Sequence, residues 1–358
     1  MPRTEPFCRF VRRFTDFLRW PNCRRAPGRL AVCAGESLRV RGLGLTISVA
    51  FILSVAPRAG CANLDDILNQ IGSDLETKKE PAPARSEANL SESQPAQDVL
   101  SKPPATTGSW GGYVASIRTR AEEGDPDSQG IASYLIQVDS GSVGTSGDAL
   151  NYAVLSSGKR SPYGQFALGR LCEKGLGVEQ NSEKAAALYK NAFPGMGRLA
   201  NSGSAMAQAI YGVMYETGRG TGKNDMEAVR WYRKSSEQGN AIGQKNLGWM
   251  YANGLGVAKN LVESVKWYRR SAEQGSASGQ KKLAWAYESG SGVEKSLSEA
   301  VRWYRRSAEQ GNAEAQFYIG SSYAHGEGVE KNESEAVKWY RRAAEQGNED
   351  AISALNNY

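Results

Sequence analysis

Residues 241–275 read AIGQKNLGWMYANGLGVAKNLVESVKWYRRSAEQG, and the chain keeps returning to this stretch. A Trp-Tyr pair recurs at Trp231-Tyr232, Trp267-Tyr268, Trp303-Tyr304 and Trp339-Tyr340, each step 36 residues. Glu-Gln-Gly endings close at Gly239, Gly275, Gly311 and Gly347 with the same spacing. A glycine turn keeps register at Gly254-Leu255-Gly256-Val257, Gly290-Ser291-Gly292-Val293 and Gly326-Glu327-Gly328-Val329. A fixed period in this range is the mark of stacked repeats.

One period reads as two helices around a glycine loop. Gln244, Leu247, Gly248 and Tyr251 fall at i, i+3, i+4 and i+7, which is one stripe of a helix. The next units repeat it as Gln280, Leu283, Ala284, Tyr287 and Gln316, Ile319, Gly320, Tyr323, and Tyr215 holds the same place earlier. Glycine inside a helix costs about 0.5–1 kcal/mol relative to alanine. Gly212, Gly248 and Gly320 at one repeat position therefore predict tight packing that outweighs the cost. Gly254, Gly290 and Gly326 suit a helix C-terminus that turns left-handed. The second helix carries Ser264, Val265, Trp267, Tyr268 and Ala272, a mostly apolar face. One hairpin cannot bury both of its faces, so the hairpins must stack, giving an all-α, right-handed α-solenoid.

These residues carry a resemblance. The Leu247-Gly248…Tyr251 helix, the Gly254-x-Gly256-Val257 turn and the Val-x-Trp-Tyr…Ala-Glu-Gln-Gly helix together resemble the SEL-1-like repeat family, relatives of the tetratricopeptide repeats. The resemblance covers 163–347, about half the chain. It implies a non-catalytic scaffold for protein–protein contact, of a kind that bacteria often export, and brings no catalytic residue with it. Relatives with a cysteine pair in every repeat have been linked to penicillin binding; this chain lacks those pairs.

The charge is unevenly placed. Residues 1–61 hold eleven arginines against Glu5, Asp16 and Glu36, a net of +8, so a whole-chain charge of +6 leaves −2 for the rest. Gly42–Ala56 (GLGLTISVAFILSVA) is an uncharged apolar run preceded by Arg39 and Arg41 and followed by small residues through Ala62. Those are the parts of a secretory signal, and the run is short for a bilayer span. Export to the periplasm or beyond, with cleavage near Ala62, is the expectation. A chain anchored in the membrane, uncleaved or lipidated at Cys61, is the alternative; Arg58 stands where a lipobox wants an aliphatic residue. Residues 1–38 are long for a signal's charged segment and read as an upstream extension, with translation starting near Leu38 or Val40, or as an Arg-rich addressing peptide.

The remaining domains follow in order. Residues 1–62 form the basic extension and signal. Within 63–109, Leu64, Ile67, Leu68, Ile71 and Leu75 suit a short amphipathic helix, and a Pro/Ser/Glu-rich stretch without aromatics reads as a disordered linker. Residues 110–162 read as one degenerate capping repeat, with a helix over Tyr113–Glu123, a worn loop at Gly141–Gly147 and a shortened second helix at Ala149–Ser157. Repeats follow at 163–203, 204–239, 240–275, 276–311 and 312–347, and 348–358 is a C-terminal cap. Tyr189 to Tyr232 is 43 residues, seven over the period. The excess falls in Asn191–Ser202, where Pro194 and two glycines are expected to break the second helix into a loop.

Catalytic material is sparse. His325 is the only histidine, and it precedes a turn at a position other repeats give to any polar residue. No Cys/His pair suits zinc, the glycine turns lack a phosphate loop's lysine, and no cofactor is implied. A cell-wall enzyme would need groups that are not evident. Cys172, the one cysteine beyond the leader, stands at the repeat position of the tyrosines and reads as core filler. The second helices carry a basic ladder: Arg230, Arg233, Lys234; Lys266, Arg269, Arg270; Arg302, Arg305, Arg306; Lys338, Arg341, Arg342. Glutamates stand three residues before the first cation (Glu227, Glu263, Glu299, Glu335) and four after the second (Glu237, Glu273, Glu309, Glu345). Such spacing pairs opposite charges along one helix and argues for a solvated face, not a nucleic-acid surface.

The candidate partner-binding residues are Trp249 and Trp285, one position off the buried stripe of successive first helices, with Lys245, Lys281 and Tyr318 on the same set. In a TPR-like stack the first helices line the concave surface, where tryptophans make binding hot spots. Packing between repeats is the other reading of the two tryptophans. The partner is expected to be another protein, with the membrane met only through the signal or a lipid.

Overall fold

The computed structural model describes residues 110–139 and 144–356; the leader, the 63–109 segment and their expected helix and linker lie outside them. Among the described residues there are fourteen helices and no strand. In chain order these are α1 (Trp110–Glu122), α2 (Pro126–Val138), α3 (Ser146–Gly158), α4 (Pro162–Lys174), α5 (Ser182–Asn201), α6 (Ala205–Thr217) and α7 (Asp225–Glu237). There follow α8 (Ala241–Asn253), α9 (Leu261–Glu273), α10 (Ala277–Ser289), α11 (Leu297–Glu309), α12 (Ala313–His325), α13 (Glu333–Glu345) and α14 (Glu349–Leu355). Each helix packs on the next in sequence, and the first helices α6, α8 and α10 also touch in turn, as expected of stacked hairpins.

The repeat fixes each helix end chemically. Asn240, Ser276 and Asn312 cap the first helices by accepting a hydrogen bond from the backbone N–H three residues on, and Asn224, Asn260, Ser296 and Asn332 do the same for the second helices. Gly254, Gly290 and Gly326 end the first helices at φ of about +70° to +74°. Inside the stack, a Cβ on Gly212, Gly248 or Gly320 would lie 2.6, 2.7 or 2.8 Å from the ring of Tyr232, Tyr268 or Tyr340. Tight packing at this position is what the structure shows. Trp231, Trp303 and Trp339 are buried and Trp267 half-buried, while Tyr215, Tyr251, Tyr287 and Tyr323 are half-buried at the repeat seams.

Hydrogen bonds tie the two helices of each repeat together at the same positions. Ser235, Ser271 and Ser307 donate to the carbonyls of Ala205, Ala241 and Ala277, and the amides of Gln238, Gln274, Gln310 and Gln346 donate to Gln208, Gln244, Gln280 and Gln316 at 2.6–2.8 Å. The region before residue 162 obeys the same rules. Ser156 donates to the Pro126 carbonyl, and Gln129 reaches the Ala121 carbonyl as Gln208 reaches that of Ala200. The shortened second helix expected there is corrected: α2 and α3 form a full hairpin of two 13-residue helices, and α1 is an extra second helix in front of it.

The broken helix is also corrected. α5 runs unbroken for 20 residues with Pro194 inside it, so the seven extra residues lengthen the helix by two turns. Pro194 sits on the exposed side, where water can take the carbonyl it leaves unbonded. Gly195 and Gly197 permit close approach, since a Cβ would lie 2.5 Å from Pro162 or 2.9 Å from the Tyr211 hydroxyl. Ala192, Met196 and Ala200 bury the opposite face and hold the helix together.

Candidate interaction groove

Helices α8, α10 and α12 meet around a groove of about 440 Å³ whose walls include Trp249, Trp285, Lys281, Lys282, Tyr304, Glu314 and Tyr318. Four of the five candidate residues named from the sequence thus share one cavity. Lys245 stands one turn before Trp249 on α8, as Lys281 stands one turn before Trp285 on α10. The tryptophans are 39% and 43% exposed, so packing between repeats does not consume them. The groove opens where a repeat contact is missing. Tyr189, Tyr232 and Tyr304 each donate a hydroxyl hydrogen bond to a glutamate on the preceding first helix, Glu173, Glu216 or Glu288. At the equivalent place under Tyr268 the chain has Ala252, and both line the groove.

The electrostatics are those of a cationic, aromatic cleft. Lys281 is ion-paired with Glu314. Burial works against the Glu314 carboxylate, but Lys281 beside it, with Lys282 and Lys245 further off, holds its pKa below the usual range. The Lys282 ammonium lies 4.6 Å from the centre of the Trp249 ring, a cation–π contact. Burial and the neighbouring Lys281 lower its pKa. Tyr318 stacks on Tyr304 with centroids 4.9 Å apart and planes at 18°.

Lys245 is the most perturbed cation. Burial lowers its pKa to about 8, with Lys282 and Lys281 adding to the shift and Asp139 and Glu216 opposing it. A lysine whose pKa is lower folded than unfolded costs stability while both states hold the proton. The cost fades as pH rises from about 8 towards the ordinary 10.5. Lys245→Met should therefore stabilise the protein at pH 7 by on the order of 1–2 kcal/mol and lose that advantage by pH 10.5, measured by thermal melts across that range.

A contact that the sequence did not announce lies beside the groove. Asp139, 2% exposed at the end of α2, accepts from Trp110 Nε1 on one oxygen and from Ser276 Oγ and the Ser278 N–H on the other, all at 2.8 Å. A carboxylate from the front of the stack thus caps the N-terminus of α10, where the helix dipole favours negative charge.

The basic ladder has a different use from the one its spacing suggests. The first cations do pair with the preceding glutamates: Arg230–Glu227, Lys266–Glu263, Arg302–Glu299 and Lys338–Glu335 lie within 3.4 Å. The second cations turn away from the glutamates at i+4. Arg233, Arg269 and Arg305 instead donate to the hydroxyls of Tyr251, Tyr287 and Tyr323 in the next repeat. The third, Lys234, Arg270, Arg306 and Arg342, sit 4.1–4.8 Å above the Trp231, Trp267, Trp303 and Trp339 rings. A tyrosine one helix away is within reach of a guanidinium, and spacing along a single helix cannot reveal it. Elsewhere, Cys172 is fully buried, and the exposed His325 lies with Nδ1 2.9 Å from the Ser321 carbonyl at the end of α12. Among the described residues no group of His, Cys, Asp and Glu could hold a metal, and no helix is long and apolar enough to cross a membrane.

Five stretches, 162–193, 205–240, 241–276, 277–312 and 313–348, match the Sel1 repeat. The chain is similar to the Sel1 repeat protein from Oxalobacter formigenes, 35% identical over 64% of this chain and 86% of that one, with a TM-score of 0.43. It is also similar to c5321, a protective antigen present in uropathogenic Escherichia coli and displaying an SLR fold. There the identity is 30% over 68% of this chain and 50% of that one, with a TM-score of 0.42. Helicobacter pylori cysteine rich protein B is 28% identical over 37% of this chain and 96% of its own, with a TM-score of 0.31. No curated protein matches the chain.

Proposed function

We propose, from the premise that this chain belongs to the Sel1 repeat family, that it is a non-catalytic adaptor of the cell envelope that grips a partner protein in the groove around Trp249 and Trp285. Proteins of this family generally bind other proteins and are generally not catalysts. The observation that carries the assignment is the pair of half-exposed tryptophans on adjacent helices, lining one groove with Lys281, Lys282 and Tyr318. Burying two indoles costs little side-chain entropy and removes a large apolar area from water, which is why tryptophan dominates binding energies. Regulating or assembling that partner is the adaptor's role.

Export rests on Gly42–Ala56 and the small residues after it. Protein purified from its host should begin near Asn63; a chain beginning at Met1 would end the envelope assignment. The groove itself is tested by placing a photo-crosslinking amino acid in the living cell at Asn253, which lines it, and at Lys266, an exposed residue of α9. A discrete protein adduct from position 253 and none from 266 is expected. Equal labelling at both positions, or at neither, would overturn the groove assignment.

A further inference from the structure

The groove lies beside the point where residues 1–109 join the stack. Trp110, the first described residue, is tied through Asp139 to Ser276 and Ser278, in the opening turn of α10. One turn further along α10 come Lys281 and Lys282, and another turn brings Trp285. Trp110 is therefore tied to the start of the helix that carries the groove's Lys281, Lys282 and Trp285.

The groove has charge to offer. Lys281 is taken by Glu314, but among the described residues neither Lys282, which lines the groove, nor Lys245, one turn before Trp249 on α8, is in an ion pair. Both are pushed towards the neutral form by burial, so an incoming carboxylate would relieve a cost already built in. Residues 63–76, NLDDILNQIGSDLE, hold four acidic side chains and no basic one, with Leu64, Ile67, Leu68, Ile71 and Leu75 at helical spacing.

We propose that the acidic segment 63–76 of this chain occupies its own groove, setting carboxylates against Lys245 and Lys282 and leucine or isoleucine side chains against Trp249 and Trp285. The occupant rests on the groove being a binding surface, the reading given above, and makes the segment a competitor that the partner protein must displace. Reach is sufficient. A linker of 33 residues, the length from Thr77 to Ser109, has a reach of about 30 Å, and a 13-residue helix such as α10 is about 20 Å long. Tethering at that length supplies an effective concentration of about 1 mM, so weak contacts suffice.

Zero-length carbodiimide coupling of the dilute full chain, mapped by mass spectrometry, tests this. The expected product joins Lys245 or Lys282 to Asp65, Asp66, Asp74 or Glu76 within the monomer. Trp249→Ala/Trp285→Ala leaves every coupling group in place and should lower that yield at least fivefold. No such product, an undiminished yield in the variant, or coupling confined to a dimer would overturn the proposal. If position 253 still captures a partner in the cell while the product is absent, self-docking fails and the groove assignment stands.

Discussion

Gly256→Val should lower the melting temperature by about 10 °C or more, a loss of at least about 4 kcal/mol. Gly256 has φ +63°, and a Cβ there would lie 2.2 Å from the Asp225 carbonyl oxygen and 2.7 Å from the Met226 nitrogen. A β-branched residue is strained in this backbone region before any contact is counted. The contact is with main chain, which has no rotamer to escape into. The loop of one repeat would be forced off the start of α7 in the preceding repeat, so the damage falls on the interface between stacked units, on which a repeat protein's stability depends. Gly275 provides the control. Its φ is +100° but nothing lies within 4 Å of a built Cβ, so Gly275→Ala should cost only about 1 kcal/mol. Equal losses at the two positions would mean that backbone strain alone, and not the wedge against α7, decides the effect.

Asp139→Ala is expected to cost about 3–5 kcal/mol, read from denaturant unfolding, because it strands three buried donors at once. Trp110, Ser276 and Ser278 are 4%, 0% and 5% exposed, so water cannot replace the lost carboxylate. Asp139→Asn keeps one acceptor oxygen for Ser276 and Ser278 but offers Trp110 Nε1 an N–H, and should lose roughly half as much. Released from Trp110, α1 should also become the first site of limited proteolysis. A loss under about 1 kcal/mol for Asp139→Ala would show that the front of the stack and α10 do not depend on this link.

The stacking itself was legible because a repeat writes its contacts at a fixed interval. Gly212, Gly248 and Gly320 announce a close approach, and the tyrosine rings that fill it stand at a constant offset. The pair Trp249 and Trp285 could be placed one step off the buried stripe, which is where a half-exposed side chain belongs. What failed depends on distance along the chain or on which side faces water. Pro194 reads as a break unless it is known to face solvent, and nothing in NAFPGMGRLANS says so. Arg233, Arg269 and Arg305 bond tyrosines 18 residues away across a seam, so helical spacing favoured the wrong partner. Asp139 meets Ser276 across 137 residues, and no local pattern encodes that.

The adaptor assignment stands or falls on the two tryptophans. The decisive measurement is the affinity, by titration calorimetry, of the partner captured at position 253 for the unaltered protein and for Trp249→Ala/Trp285→Ala. Two hot-spot truncations at about 1.5 kcal/mol or more each predict at least a 100-fold weaker Kd. Circular dichroism and melting temperature should be unchanged, since both side chains are substantially exposed. An undiminished affinity in a folded variant would place the partner elsewhere on the stack and contradict the account.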